Sequence, residues 1–174
     1  LLPNDFTCIE YDIIFFSEDS RLDAFVSQCD VIVHLAAMNR HNDPEVIYNT
    51  NIDLVHKLIA SLKRTNSKAH ILFSSSSQEE RDNPYGKSKK EGRILLQNWA
   101  IENKCTLTGL IIPNIFGPFG SPYHNSVVAT FSHQISHGET PKIEIDGVLK
   151  LIYVGELISE IIKKAKEKKN EPLY

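Results

Sequence analysis

The sequence lacks the features that mark membrane, disulfide-bonded, metal-binding and nucleic-acid-binding proteins. No apolar run in its 174 residues approaches the roughly 20 that a membrane-spanning helix needs. Its cysteines, Cys8, Cys29 and Cys105, are too widely spaced for a disulfide framework, and the seven histidines show no metal-ligand spacing. A net charge of −3 with no basic stripe disfavours a nucleic-acid partner. We therefore predict no metal, no membrane segment and no nucleic acid, and a reducing, cytoplasmic location.

The start of the chain also lacks two common features. The only methionine is Met38, so Leu1 is not a translation start. The first residues have neither the basic stretch nor the small-residue cleavage site of a signal peptide. We expect the chain to be trimmed or to be a portion of a longer protein.

Short apolar runs alternate with helical patterns along the chain. Strands are predicted at residues 11–16, 30–37, 69–73, 106–112, 142–145 and 149–154, and helices at 21–28, 44–63, 84–103, 126–137 and 156–168. Residues 113–122, rich in proline and glycine, are predicted to be a loop. The repeated strand–helix–strand order predicts a single α/β domain over 1–174, a doubly wound parallel sheet with helices on both faces. Ligands bind such sheets at the carboxyl ends of the strands.

One strand end carries a pattern with chemical meaning. The serines at 74–77 end an apolar run, and Tyr85 and Lys89 follow on a helix that Asn83 and Pro84 begin. Residues four apart share a helix face, so the ammonium is expected to lower the pKa of the phenol from its ordinary value near 10. A serine hydroxyl there can hold a carbonyl oxygen as negative charge develops. The pattern predicts keto/hydroxyl redox chemistry.

These motifs resemble the extended short-chain dehydrogenase/reductase family of nucleotide-sugar epimerases, dehydratases and reductases. The resemblance rests on residues 30–37, 74–77, 85–89 and 113–118, with Asn51. It implies a Rossmann-like fold, NADP or NAD as cofactor and a nucleotide-sugar substrate. The short gap between serines and tyrosine, with residues 113–117 and 125–131, is similar to the reductase domain of bifunctional capsular polysaccharide enzymes that make UDP-N-acetyl-L-fucosamine. Such domains reduce a keto group on a UDP-deoxysugar, and a fused cupin domain in the parent protein stays an open question.

The resemblance also implies roles for individual residues. The catalytic group would be Ser76 (with Ser75 as the fallback), Tyr85 as proton donor and Lys89 as its electrostatic partner and ribose ligand. The implied cofactor-binding residues are His34, Leu35, Ala36, Ala37, Asn51, Ser74, Tyr85, Lys89 and Pro113. The implied substrate-binding residues are Ser76, Asn114, Asn125 and Ser126, with substrate-side elements over about 114–150.

Two departures from the family pattern separate its members. Dehydratases carry Asp-Glu directly after the catalytic hydroxyl, where this chain has Ser77-Gln78, so dehydration is disfavoured. Reductases that also epimerise carry a cysteine at the position of Gln78, so reduction without inversion is expected. A nucleotide-sugar 4-epimerase is the alternative enzyme. A non-catalytic domain is the alternative of another class, and the resemblance implies a homodimer through helices 44–63 and 84–103.

The glycine-rich turn that brings backbone amides to a pyrophosphate in such sheets is missing. None of the eight glycines precedes Gly86, and Gly117 and Gly120 belong to the substrate-side loop. We expect the chain to start around the second or third strand of the family's sheet. A relative that no longer binds dinucleotide, or a pyrophosphate site supplied by another element, stays open.

Overall fold

The computed structural model describes residues 6–143 and 146–172. Two 3₁₀ helices, at Ile13–Ser17 and Ser77–Glu80, accompany the main elements. The helices are α1 Asp19–Val26, α2 Pro44–Arg64, α3 Pro84–Asn103, α4 Val127–Ser136 and α5 Val154–Glu167. The strands are β1 Val31–His34, β2 His70–Ser76, β3 Leu107–Ile112, β4 Asn114–Phe116 and β5 Leu151–Tyr153.

A parallel sheet in the order β1-β2-β3 forms the centre of the fold. Every residue of β2 is buried, as expected for a strand covered on both faces. One face packs on α2 and α3, with Leu58 and Leu96 among the buried side chains. The other face packs on α5, where Ala165 meets Leu72 and Leu110. The predicted doubly wound α/β fold is confirmed.

Side-chain caps explain where the site-bearing helices begin. The Asn83 carboxamide oxygen accepts a hydrogen bond from the Gly86 N–H at 2.7 Å, and Pro84 occupies the first helical turn of α3. Asp43 caps α2 in the same way, accepting from the Glu45 N–H at 2.9 Å. The structure therefore confirms the predicted starts of α2 at Pro44 and of α3 at Pro84.

The segment after α5 covers the outer edge of β3. Glu171 accepts from the Gly109 N–H at 3.0 Å and donates its own N–H to the Leu107 carbonyl at 2.8 Å, and the local pairing with Thr108 is parallel. A Cβ on Gly109 would lie 2.3 Å from the Pro172 carbonyl oxygen, so a side chain there would displace this segment.

Three sequence predictions differ from the structure. Residues 11–16 form no strand: the Asp12 carboxylate accepts from the Ile14 N–H at 3.0 Å and starts the 3₁₀ helix Ile13–Ser17. The segment 113–122 is not all loop, because it contains β4, which pairs in parallel with β5 in a second, two-stranded sheet. Of the predicted strand 142–145, residues 144 and 145 lie outside the described residues, and the two before them adopt no regular structure.

Candidate active site

The end of β2 presents its serines alternately to opposite sides. Ser74 donates its hydroxyl to the His34 carbonyl at 3.0 Å, and Ser75 donates to the Glu79 carboxylate. The Ser76 hydroxyl accepts from the Gln78 N–H at 3.2 Å and is a hydrogen-bond partner of the Tyr85 phenol. Successive strand side chains point to opposite faces, so Ser74 and Ser76 share one side. The structure favours Ser76 over Ser75 as the hydroxyl beside Tyr85.

Lys89 lies one turn along α3 from Tyr85 and is almost completely buried, with 3% of its surface exposed. Its ammonium donates to the Ser74 carbonyl at 2.8 Å and lies 5.1 Å from the centre of the Phe73 ring and 5.8 Å from that of Tyr85. Burial lowers the pKa of Lys89 to about 8. The ammonium is therefore still the main form at neutral pH.

The pKa of Tyr85 shifts in the direction opposite to the one expected. Burial of the half-buried phenol raises its pKa, and the hydrogen bond with Ser76 lowers it by less. The ammonium of Lys89 donates its shortest hydrogen bond to the Ser74 carbonyl and not to the phenol. The prediction that Lys89 lowers the pKa of Tyr85 is therefore wrong for this structure. The phenol is consequently protonated at neutral pH, which is the form that a proton donor requires.

His34 lies beneath the site as a neutral ring. It stacks on Phe73 with ring centres 5.6 Å apart and an interplanar angle of 13°. Burial, helped by the nearby charge of Lys89, lowers its pKa to about 3. The three residues that follow β1 are more open: Leu35 and Ala37 are exposed and Ala36 is half-buried. This stretch is placed at the carboxyl end of β1, beside the end of β2.

Asn51 holds the loop after β1 in place. Its carboxamide accepts from the Met38 N–H at 2.7 Å and donates to the Met38 carbonyl at 3.0 Å and the Ser88 hydroxyl at 2.9 Å. The structure shows that Asn51 fixes this loop against α2 and α3, and the cofactor contact that the resemblance implies for it stays a prediction. Met38 was missed because it lies outside the motifs, and Ser88 was missed because the motif 85–89 that contains it gave it no role.

The residues predicted to contact substrate lie on other elements. Asn114, the first of them, is exposed and begins β4, directly after half-buried Pro113, which was predicted to bind the cofactor. Asn125 is exposed in the left-handed region with φ 58°, and the Ser126 hydroxyl caps α4 by accepting from the Ala129 N–H at 3.2 Å. Within residues 6–143 and 146–172, no hydrogen bond joins these side chains to Tyr85 or Lys89.

A buried ion pair that the sequence did not reveal supports the strand end. Arg93 on α3 donates to both oxygens of Glu79, at 2.8 and 2.7 Å, and its third nitrogen donates to the Pro172 carbonyl at 3.3 Å. Glu79 also accepts from Ser75. A glutamate and an arginine 14 positions apart carry no sequence signal, since such residues are most often solvated.

The arrangement fits the nicotinamide-ribose end of a dinucleotide. The protonated amine of Lys89 has three donors, and its hydrogen bonds in the structure go to the carbonyl and hydroxyl of Ser74 rather than to a carboxylate. An amine so placed can also donate to a ribose hydroxyl. Within the described part of the chain, the turn with Gly117 and Gly120 follows β4 of the two-stranded sheet, and no such turn follows a strand of the central sheet to form a pyrophosphate cradle.

Comparisons with known proteins agree with this geometry. The model of the NAD dependent epimerase/dehydratase family matches residues 8–173. A UDP-2-acetamido-2,6-beta-L-arabino-hexul-4-ose reductase from Pseudomonas aeruginosa is 30% identical over 156 residues, which cover 87% of this chain and 42% of that relative. This chain therefore spans about two fifths of the length of the curated relative.

Two solved structures have the same fold. The capsular polysaccharide assembling protein CapF from Staphylococcus aureus superposes with a TM-score of 0.70 at 32% identity, covering 87% of this chain and 40% of CapF. A UDP-N-acetylglucosamine 4-epimerase from Methanobrevibacter ruminantium superposes with a TM-score of 0.75 at 28% identity, covering 86% of this chain and 56% of the epimerase.

These matches confirm the predicted enzyme family and the predicted class of cofactor, NAD or NADP. Among the helices that the structure describes, none is long and apolar enough to cross a membrane. Within the same residues, no group of three or more His, Cys, Asp or Glu side chains is placed to hold a metal ion. The family model matches residues 8–173, and the serine, tyrosine and lysine lie together at one strand end. The chain therefore belongs to the NAD dependent epimerase/dehydratase family.

Proposed function

We propose that this chain carries the ketone-reducing site of an NAD(P)H-dependent nucleotide-sugar reductase. The substrate would be a UDP-deoxysugar with a keto group, and the dinucleotide supplies the hydride. The observation that carries the proposal is a protonated phenol held against Ser76, one helical turn from the buried ammonium of Lys89. The name of the Pseudomonas reductase supports a keto-sugar nucleotide as substrate, and the name of CapF supports a role in capsular polysaccharide assembly.

Each of the three groups has a defined task in this proposal. The Ser76 hydroxyl donates a hydrogen bond to the substrate carbonyl oxygen, which becomes an alkoxide during reduction. The Tyr85 phenol donates its proton to that oxygen, so that the product is an alcohol. Lys89 stabilises the phenolate left behind and binds the ribose, because its charge lies within 6 Å of the ring.

The remaining predicted ligands are assigned by position. We expect residues 34–37, Ser74 and Pro113 to line the cofactor at the strand ends, with Asn51 holding the loop that contains Met38. Asn114, Asn125 and Ser126 are expected to contact the nucleotide sugar from the elements that follow β3, within about residues 114–150. The whole described chain would act as one domain of this reductase, in the cytoplasm.

Reduction is tested by supplying a 4-keto UDP-sugar with NADPH and following the loss of NADPH absorbance. We expect Tyr85→Phe to lower turnover by about 10²- to 10⁴-fold, the range for losing a general acid. Tyr48→Phe is the matched control, because Tyr48 is also helical but bonds Glu91 on the surface. Full turnover in Tyr85→Phe, or an equal loss in Tyr48→Phe, would contradict the mechanism.

A 4-epimerase is the second candidate, favoured by the 28% identity to the Methanobrevibacter epimerase. An epimerase recycles its nicotinamide, so the cofactor should stay bound through purification, whereas a reductase exchanges it every turnover. The raised pKa of Tyr85 favours the reductase, because an epimerase must also use the phenolate as a base. Calorimetric titration with NADPH separates both from a non-catalytic domain, which would release no heat.

The outer face of α3 supports the expected homodimer. Ile94 and Ile101, seven positions apart on this helix, are 42% and 63% exposed. We propose that they pair α2 and α3 with the same helices of a second copy. In sedimentation experiments Ile101→Glu should shift the protein to a monomer. Ile158→Glu is the control, because Ile158 is also exposed but lies on α5, and it should leave the dimer intact. A monomeric wild type at micromolar concentration would exclude this interface.

A further inference from the structure

A buried chain of contacts joins the end of β2 to α3. The Ser75 hydroxyl donates to the Glu79 carboxylate, and its oxygen lies 3.5 Å from the Lys89 carbonyl on α3. Both carboxylate oxygens of Glu79 accept from Arg93, at 2.8 and 2.7 Å. All of these residues are buried. The contacts therefore connect β2, the 3₁₀ helix Ser77–Glu80 and α3 within the interior of the protein.

The three connected elements are the ones that carry the reacting hydroxyl and phenol. Ser76 ends β2, and its hydroxyl accepts from the Gln78 N–H of the 3₁₀ helix at 3.2 Å. Tyr85 lies in the first turn of α3, where a Cβ on Gly86 would lie 2.0 Å from the Gln78 carbonyl oxygen. The backbones of the 3₁₀ helix and α3 are thus in direct contact. Because protein interiors are close-packed, a shift of the 3₁₀ helix would also move the phenol.

The guanidinium of Arg93 is held in one orientation. Its third nitrogen donates to the Pro172 carbonyl at 3.3 Å, in the segment that covers the edge of β3. Gly109 on β3 leaves room for it, because a Cβ there would lie 2.7 Å from Cδ of Arg93. A planar guanidinium bonded to two carboxylate oxygens and one carbonyl has a fixed direction. An apolar pair often stabilises a fold equally well, so stability alone does not account for these charges.

We propose that Glu79 and Arg93 are positioning residues for the reduction. Acting through Ser75, they hold the Ser76 hydroxyl at the place beside Tyr85 that the reaction needs. Catalytic groups must be held within about 0.5 Å of their productive geometry, and a misplacement of about 1 Å can slow a reaction about 100-fold. The kinetic part of this inference rests on the proposed reductase activity, whereas the position of the hydroxyl can be followed without substrate.

The kinetic test uses variants that keep the fold. Glu79→Met with Arg93→Met removes both charges together, which a buried pair tolerates better than the loss of one. We expect kcat for a 4-keto UDP-sugar with NADPH to fall at least tenfold, with KM within about twofold of the wild type. Ser75→Ala alone should have a similar effect, and adding it to the double variant should lower kcat no further. Glu80→Gln with Lys90→Gln is the control, because this surface ion pair joins the same 3₁₀ helix to α3 and its loss should leave kcat unchanged.

Amide hydrogen exchange at Gln78 reports the position of the Ser76 hydroxyl without substrate or cofactor. Its N–H donates to that hydroxyl, so the double variant and Ser75→Ala should both speed its exchange at least tenfold. The Ile71 amide, which donates to the Thr106 carbonyl at 3.1 Å, should exchange as in the wild type. A wild type that reduces no ketone would refute the reductase alone, and Gln78 exchange would then decide this inference.

Several results would overturn the positioning role. Unchanged exchange at Gln78 would do so, as would equal acceleration at Gln78 and Ile71, which a general loss of stability produces. In an active enzyme, faster exchange with unchanged kcat would also overturn it. A loss of kcat that multiplies when Ser75→Ala is added would make Ser75 a direct participant instead. Ser75→Ala leaves the two charges paired, so it carries the test by itself if the double variant fails to fold.

Discussion

The buried pair of Glu79 and Arg93 gives the sharpest test of how the site is supported. The two side chains are 5% and 11% exposed and share two hydrogen bonds of 2.8 and 2.7 Å. Glu79→Gln keeps the shape of the side chain and removes its charge. The buried guanidinium is then left with neutral acceptors only, the amide oxygen of the new side chain and the Pro172 carbonyl, and with no buried counter-charge. We expect the free energy of unfolding to fall by about 3–5 kcal/mol.

A double-mutant cycle separates the loss of the pair from the loss of either residue. The single variants of the cycle are Glu79→Met, which strands the buried guanidinium, and Arg93→Met, which strands the buried carboxylate; each should cost about as much as Glu79→Gln. Replacing both residues by methionine removes both charges, and the apolar pair should be within about 1 kcal/mol of the wild type. Urea unfolding at pH 7, followed by far-ultraviolet circular dichroism, measures all four proteins.

The pH dependence gives the second readout for this pair. Burial acts to raise the pKa of Glu79, but hydrogen bonds from Arg93 and Ser75 outweigh it and the net pKa is lowered. A carboxyl group with a lowered folded pKa stabilises the fold above its unfolded pKa, and that stability is lost as the pH falls. The difference between wild type and Glu79→Gln should therefore shrink below about pH 4.3. Single-variant losses below about 1 kcal/mol, or losses that simply add in the double variant, would refute this account.

Three further predictions concern Asn83, which caps α3, and the buried basic side chains of Lys89 and His34. Asn83→Ala should lower the free energy of unfolding by about 1 kcal/mol, measured by urea titration, while Asn83→Asp should keep most of the cap. Lys89 has a pKa lowered to about 8, so wild-type stability should rise between that pH and about 10.4, because only the unfolded chain stays protonated there. Lys89→Met should lack that rise and also lack turnover. His34 has a pKa lowered to about 3, so the free energy of unfolding should fall as the pH drops below about 6.5. In an acid titration the His34→Phe variant should lose less of its free energy of unfolding than the wild type does.

Local signals in the sequence were sufficient for the elements that carry the site. Asn83 and Pro84 predicted the start of α3, and the apolar run before the serines predicted β2, because caps and buried strands depend on neighbouring residues. Residues 11–16 misled the prediction, since Tyr11 packs against Phe15, Phe16 and Phe25 instead of a strand. The Asp12 cap and the contact between Tyr11 and Phe25 accompany this conformation, and the apolar pattern of residues 11–16 shows neither.

Side-chain partners at the site were less predictable than the elements themselves. The hydrogen bonds of the Asn51 amide with Met38 and Ser88 were not predicted, because only the three-dimensional packing reveals them. The direction of the Tyr85 pKa was missed because spacing along a helix shows nearness to Lys89 but not the degree of burial. Whether the predicted ligands meet a cofactor stays a prediction.

The alternation of hydroxyls at the end of β2 makes this site sensitive to slippage. Ser74 and Ser76 face the phenol and amine, while Ser75 faces the carboxylate of Glu79. Deleting one residue from β2 would move each side chain beyond the deletion to the opposite face of the sheet. A neighbouring serine would then supply the hydroxyl beside Tyr85, because residues 74–77 are four serines, but Leu72 and Phe73 would exchange the two faces of the sheet on which they pack.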